Sequence, residues 1–143
     1  MGYPETLQLV DSTGDPVAVS YAAVADVLIR TIAWPAEIVG LLAQVSVSPT
    51  VTAPVLSLQY APLLSTGYVY VTKATVTIPV AAAVGSFWYN DQFQYFLANI
   101  GDRIKVRVTT AATAGTGNVW VIYKRIPQKK PAQSAATYNE VAA

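Results

Sequence analysis

Polar and apolar residues alternate along much of this chain, in short runs that turn-forming residues interrupt. Successive side chains of a β-strand point to opposite faces, so this period of two predicts strands with one buried face. The clearest runs cover residues 37–47, 55–60, 68–72, 74–78, 104–109 and 119–123. Short strands with regular turn signals predict an all-β fold, namely an antiparallel β-sandwich of jelly-roll-like or immunoglobulin-like type.

The two ends of the chain depart from this pattern and predict extended arms. Residues 1–20 combine turn signals with two alternating runs, 6–10 and 17–21, each of which predicts a short strand. The last residues are rich in proline, glutamine, serine and alanine and have no apolar period, which predicts flexibility. The predicted organisation is an N-terminal arm (1–20), a β-sandwich domain (21–126) and a flexible C-terminal tail (127–143).

Residues 22–33 allow two interpretations. Alanine and leucine permit a helix, in which Asp26 and Arg30 would form an ion pair four residues apart. The β-branched residues of the segment fit a pleated sheet better. We therefore favour a strand here and keep a helical turn as the alternative.

The composition is unusually apolar, because hydrophobic residues make up 53% of the chain and charged residues only 12%. Soluble domains carry about 25% charged residues. Part of this surface is therefore expected to be covered by a partner, with a homo-oligomer as the first candidate. The chain lacks the ~20 successive apolar residues of a membrane helix, and its N-terminus lacks the pattern of a signal peptide. We expect synthesis in a cytoplasm, without export and without membrane contact.

The chain contains no cysteine and no histidine. Thiol chemistry, thiolate metal sites and the side chain that titrates nearest neutrality are therefore excluded. Serine and threonine have no histidine base to activate them. Asp91 and Asp102 could form a carboxylate pair, but both lie in turn signals, where aspartate commonly binds local backbone. We expect no enzyme, no catalytic residue, no metal and no cofactor.

The segment 87–96 concentrates six aromatic residues. Phe87, Tyr89, Phe93 and Tyr95 occupy odd positions, and Trp88 falls on the other face of an extended strand. A strand that is aromatic on both faces is expected to pack against the core on one side and against a partner subunit on the other. Stacking on a glycan is the alternative for the outer face.

Charge is distributed unevenly along the chain. Residues 1–40 hold five acids and one base, whereas residues 103–130 hold seven bases and no acid. This bias favours contacts between acidic and basic ends of neighbouring subunits. Arg103, Lys105 and Arg107 share one face of a strand, which indicates a solvated face or a nucleic-acid patch. With a pI of about 7.9 we expect the solvated face and no nucleic acid partner. The predicted partner contacts are Trp88, Phe93, Tyr95, Arg103, Lys105, Arg107, Lys129, Lys130 and Tyr138.

The region from Leu56 to Tyr123 also carries a sequential pattern. Gly101 and Arg103 lead into the strand of residues 104–108, and a glycine-rich hairpin at 115–118 precedes the last strand. This order resembles that of the small β-sandwich auxiliary virion proteins of tailed bacteriophages, including capsid decoration (cement) proteins. The resemblance covers about half of the chain and transfers no functional residue.

The resemblance implies a structural virion protein, made in the host cytoplasm, that coats the capsid of a bacteriophage and stabilises the particle. Such proteins often stand as dimers or trimers at symmetry axes. The implied partners are further copies of the chain and a major capsid protein or another virion protein. Two alternatives stay open: a carbohydrate-binding β-sandwich module for host attachment, and another structural protein of the phage tail or neck.

Overall fold

A computed structural model describes residues 16–63, 67–90, 92–93 and 96–126, and for 92–93 it describes the backbone only. This part of the chain is built from strands and turns, without a helix. The strands are β1 Val17–Ser20, β2 Ala25–Thr31, β3 Ala36–Thr50, β4 Val55–Ala61, β5 Val71–Thr77, β6 Phe87–Tyr89, β7 Gln92–Phe93, β8 Phe96–Ala98, β9 Arg103–Thr110 and β10 Ala114–Arg125.

The strands form two antiparallel sheets that pack face to face, so the predicted β-sandwich is confirmed. Sheet 1 has the order β1-β10-β3, with β6 and β8 both paired to the far edge of β3. Sheet 2 has the order β2-β9-β4-β5-β7. Eight of the nine links between successive described strands cross from one sheet to the other, and only β4 to β5 stays within a sheet.

The core lies between the sheets and is almost entirely aliphatic. In β9 the alternation is complete: Ile104, Val106 and Val108 are fully buried, and Arg103 and Lys105 face outward. Burying one such aliphatic side chain stabilises a fold by about 1.5–3 kcal/mol. The period of two in the sequence therefore reports the inner face of this strand correctly.

The longest pairing joins β3 and β10 along nearly their full lengths. Ala36 pairs with Arg125, Leu42 with Trp120, and the ladder closes near Thr50 and Ala114. Register shifts interrupt this ladder, one of them between Thr116 and Gly117.

Gly117 and Tyr21 explain that irregularity. The fully buried Tyr21 donates its hydroxyl hydrogen to the carbonyl oxygen of Gln44, at 2.6 Å. A Cβ atom at Gly117 would overlap both that carbonyl oxygen and the hydroxyl. Burial raises the pKa of Tyr21 above its ordinary value, so the hydroxyl keeps its proton and remains a donor. Glycine is therefore required for the close approach of the backbone at this point.

Several predicted boundaries differ from the observed ones. The strand predicted at 68–72 begins only at Val71 and continues through Lys73 to Thr77. The residues before Val71 leave the sheet because two tyrosine rings lie over basic side chains of β9. The aromatic segment 87–97 is divided among β6, β7 and β8.

The segment 22–33 contains the strand β2, as favoured, and no helical turn. Residues 17–20, which the prediction placed in the N-terminal arm, form β1 and pair with β10. Their apolar side chains add to the core, so the sandwich includes them. The predicted strand at 6–10 and the predicted tail lie outside the described residues.

We expect the substitution Tyr21→Phe to lower the free energy of unfolding by about 1 kcal/mol, because it removes a buried hydrogen bond and keeps the ring. Urea unfolding followed by fluorescence measures the change. The control is Tyr70→Phe, which keeps its ring over Lys105 and should change stability by less than ~0.5 kcal/mol. Equal losses in both variants would contradict the assigned role of the Tyr21 hydroxyl.

Candidate interaction surface

The outer face of sheet 2 carries the basic row that the sequence predicted. Arg103, Lys105 and Arg107 lie at alternate positions of β9 and point away from the core. They are partly covered rather than fully solvated, since the side chain of Lys105 is only 16% exposed. The cover comes from two different parts of the chain.

Two tyrosines of the segment before β5 lie over this row. The guanidinium of Arg103 lies 4.0 Å from the ring centre of Tyr68, and the ammonium of Lys105 lies 4.1 Å from that of Tyr70. The Tyr68 hydroxyl donates to the carbonyl oxygen of Gly101, at 3.2 Å. Cations are attracted to the negative faces of aromatic rings, so both contacts hold the tyrosine segment against the sheet.

Asp26 of β2 neutralises the other end of the row. Its carboxylate accepts a hydrogen bond from Arg107 at 2.8 Å and lies 3.7 Å from the ammonium of Lys105. The hydrogen bond from Arg107 is the main reason why the pKa of Asp26 is lowered, and the charge of Lys105 adds to it. The basic row is therefore engaged by groups of the same chain. This cover reduces the charge that a nucleic acid would meet.

Two further cations show the same arrangement. Lys73 lies over the ring of Phe96 at 5.8 Å, and Arg125 lies over the ring of Trp34 at 5.5 Å. Significant cation–π contacts occur about once per 70–80 residues. Four such contacts among the described residues indicate that much of the positive charge in this part of the chain is used within the molecule.

The aromatic segment divides between core and surface. Trp88 packs partly against the core, and its indole N–H donates to the Ser86 hydroxyl at 2.9 Å. Phe87 and Tyr89 point outward and are 56% and 51% exposed. The exposed rings of β6 are therefore Phe87 and Tyr89, whereas the predicted contact Trp88 lies on the inner side.

Of the other predicted contacts, only Phe93 lies among the described residues, and only its backbone is described. The backbone of Phe93 lies in β7 opposite Ala74. Tyr95, Lys129, Lys130 and Tyr138 lie outside the described residues.

The outer face of sheet 1 carries an apolar surface that we name the aromatic face. It comprises Leu42, Phe87, Tyr89 and Trp120, since Leu42 pairs with both Tyr89 and Trp120 across three strands. The rings of Phe87 and Trp120 are 6.0 Å apart. This surface was missed from the sequence because Trp120 comes from β10, and only strand order brings it beside β6.

Polar contacts hold the aromatic face in place. The Tyr89 hydroxyl donates to the Val39 carbonyl oxygen at 3.1 Å. The side-chain oxygen of Asn90 accepts the Leu41 amide, at 3.1 Å. Tyr89 lies directly over Gly40, where any Cβ atom would overlap the ring. The face is thus built as a fixed platform before any partner binds.

Asp102 has a structural role, as the turn prediction implied. Its buried carboxylate accepts hydrogen bonds from the Tyr60 hydroxyl at 2.7 Å and from the amides of Leu63 and Asn99, both at 2.8 Å. Burial and the nearby carboxylate raise the pKa of Tyr60 to about 12. These contacts join the turn between β8 and β9 to the end of β4 and the segment that follows it. Asp91 lies outside the described residues.

Two kinds of site are absent from the described part of the chain. It contains no group of three or more acidic side chains placed to hold a metal ion. It also contains no helix long and apolar enough to cross a membrane.

Comparisons with known proteins give no relative: no family model, no curated protein and no solved structure matches this chain.

We expect Asp26→Asn to destabilise the fold by less than ~1 kcal/mol at pH 7, because the pair is partly exposed. The lowered pKa means that the ionised carboxylate stabilises the folded state above the unfolded pKa of about 3.9. This contribution is lost as the pH falls from there through the lowered pKa. Urea unfolding at a series of pH values should show the two proteins converging in acid. A gap that stays constant down to about pH 2 would contradict the ion pair.

Proposed function

We propose that this protein is a structural subunit of a bacteriophage particle, which self-associates and binds a capsid protein to stabilise the particle. The observation that supports this best is the aromatic face of sheet 1. Phe87 and Tyr89 present half-exposed rings on a rigid sheet, and exposed aromatic residues are enriched at protein interfaces.

The distribution of polar contacts supports a binding role for this face. On sheet 2 the cations are paired with tyrosines and with Asp26. On sheet 1 the ring of Phe87 lies 6.0 Å from that of Trp120, measured between ring centres, and Phe87 stays 56% exposed. A partner that covers the aromatic face would remove apolar area from water and would have few ions to desolvate. The pattern of Gly101 to Tyr123 that resembles capsid decoration proteins supports the virion as the place of this partner.

The test is co-sedimentation with assembled particles. The tagged chain is expressed in bacterial cells that are producing the phage particles, and the lysate is fractionated on a density gradient. We expect the wild type with the particles, and the double substitution Phe87→Ser, Tyr89→Ser at the top of the gradient. The control is Val69→Ser, which alters another exposed apolar residue. A wild-type protein that stays entirely at the top would contradict the proposal.

A carbohydrate-binding module is the second candidate, and the aromatic face also favours it. The rings of Phe87 and Trp120 lie beside the side chains of Gln44 and Asn118, which pair with each other across β3 and β10. Aromatic rings stack on the apolar faces of sugars, and amide groups can bind their hydroxyls.

A glycan array tests this second candidate. We expect specific binding by the wild type and its loss in Phe87→Ala and in Trp120→Ala, since either change removes half of the ring pair. Trp34→Ala is the control, because this half-exposed tryptophan contacts Arg125 and Ile126 away from the platform. An array without signal for the wild type would remove the candidate.

A further inference from the structure

One end of the sandwich exposes four valine side chains among small polar ones. We name this end the apex and define it by Val47, Val51, Val80 and Val84. They are exposed by 51%, 76%, 44% and 69%, respectively. Val47 and Val51 belong to the end of β3 and the turn after it, and the other two belong to the loop between β5 and β6.

Backbone hydrogen bonds hold these two segments side by side. The amide of Ala81 donates to the Pro49 carbonyl at 2.9 Å, and the amide of Gly85 donates to the Val45 carbonyl at 2.7 Å. Between them the Ser48 hydroxyl donates to the Ala82 carbonyl, at 2.7 Å. The loop therefore runs antiparallel to the end of β3, and the four exposed valines belong to two adjacent segments.

The apex contains no charged residue. Acidic and basic side chains are absent from residues 38–63, 74–90 and 108–123, and also from the β1–β2 turn at 21–24, which hydrogen bonds place at the same end. On sheet 2 the nearest charged side chains are Arg107 and Asp26, and these pair with each other. The other charged residues of the described chain lie further towards the opposite end. A solvated loop end normally carries polar and charged residues, so this surface is unusual.

The apex is also strained. Val51 has a φ of 72° and Ala81 a φ of 65°. The Thr52 amide donates to the Thr50 carbonyl at 2.8 Å, which closes a three-residue turn around Val51. A β-branched residue at positive φ is a genuine outlier, because glycine or asparagine fits such a turn at lower cost. Strain of this kind persists mainly where function requires the side chain.

We propose that the apex is the surface through which two copies of this chain associate, apex against apex. In a two-fold contact the same patch of both copies meets, so a patch of a single charge sign would face its own sign. A charge-free apolar surface meets this condition without repulsion and without desolvation of ions. Valines that are costly to expose alone are then covered by their counterparts.

The composition of the apex favours a protein over a lipid bilayer as its partner. Loops that enter a membrane surface combine apolar tips with tryptophan, tyrosine, lysine or arginine at the headgroup level. None of these occurs in residues 45–54 or 79–86. The apex is also small against the ~800 Å² per partner of a standard interface. We therefore expect a weak dimer, with a dissociation constant of roughly 10–100 µM.

This inference rests on the proposed function only for its expectation of self-association, and its test is independent of phage particles. Sedimentation velocity on the full chain, from about 1 µM to about 500 µM, should show a shift from monomer to dimer. Val84→Asp should weaken this association at least about tenfold, because each copy then places a charge in the contact. Val69→Asp is the matched control: Val69 is 72% exposed and lies beside Tyr68 in the segment before β5, and this variant should associate like the wild type.

Val51→Gly separates binding from folding. Glycine relieves the strained φ, so its melting temperature should rise by a few degrees, while its self-association weakens because a contact side chain is lost. A purely structural role for Val51 would not move these two quantities in opposite directions.

Three results would overturn the proposal. These are a monomer at every concentration, equal weakening by Val69→Asp and Val84→Asp, and flotation of the monomeric protein with phosphatidylcholine vesicles that Val84→Asp abolishes. A dimer that Val84→Asp disrupts, in a protein that never sediments with particles, would support the apex contact and contradict the virion role. Particle binding by a strictly monomeric protein would support the virion role and contradict the apex contact.

Discussion

The ladder between β3 and β10 is the interaction on which the rest of the structure depends. It joins residues as distant as Ala36 and Arg125. Every other strand of sheet 1 pairs with one of these two strands. It also places the centre of sheet 2, because β4 follows β3, β9 precedes β10, and β4 pairs with β9. The fold thus contains two paired segments, β3–β4 and β9–β10, and each of them crosses from one sheet to the other. A long loop of chain must close before these two segments can associate.

This arrangement explains why the sequence indicated the faces of strands but not their neighbours. A period of two shows which side chains of β9 point inward, and the structure agrees at Ile104, Val106 and Val108. The period of two contains no information on which strand lies alongside β9. Eight of nine links change sheet, so proximity in sequence is a poor guide to pairing here. The aromatic face shows the consequence, since Trp120 and Phe87 meet only because β10 and β6 flank β3.

The local pattern also gave a wrong prediction for a segment whose side-chain contacts replace backbone pairing in a sheet. Tyr68 and Tyr70 alternate with valine as strand residues do, yet this segment leaves the sheet and lies over Arg103 and Lys105. Each ring covers a cation and keeps its apolar faces partly out of water, a gain that depends on a row of basic residues some 35 positions later in the chain. The same contacts explain why the predicted basic row is shielded. The turn role of Asp102 was predictable because its contact with the Asn99 amide is local, whereas its contacts with Tyr60 and Leu63 depend on the topology.

The apex shows another limit of prediction from sequence, because the sequence does not indicate where the backbone is strained. Val51 follows Pro49-Thr50 as an ordinary turn residue would, and nothing in that order indicates a positive φ. What can be read is the absence of charge from 38 to 63, 74 to 90 and 108 to 123. Where the topology brings parts of these segments together at one end, the absence becomes a property of a surface. Among the described residues the charged side chains nearest to this end, Arg107 and Asp26, pair with each other, so a partner that covered it would have few ions to desolvate.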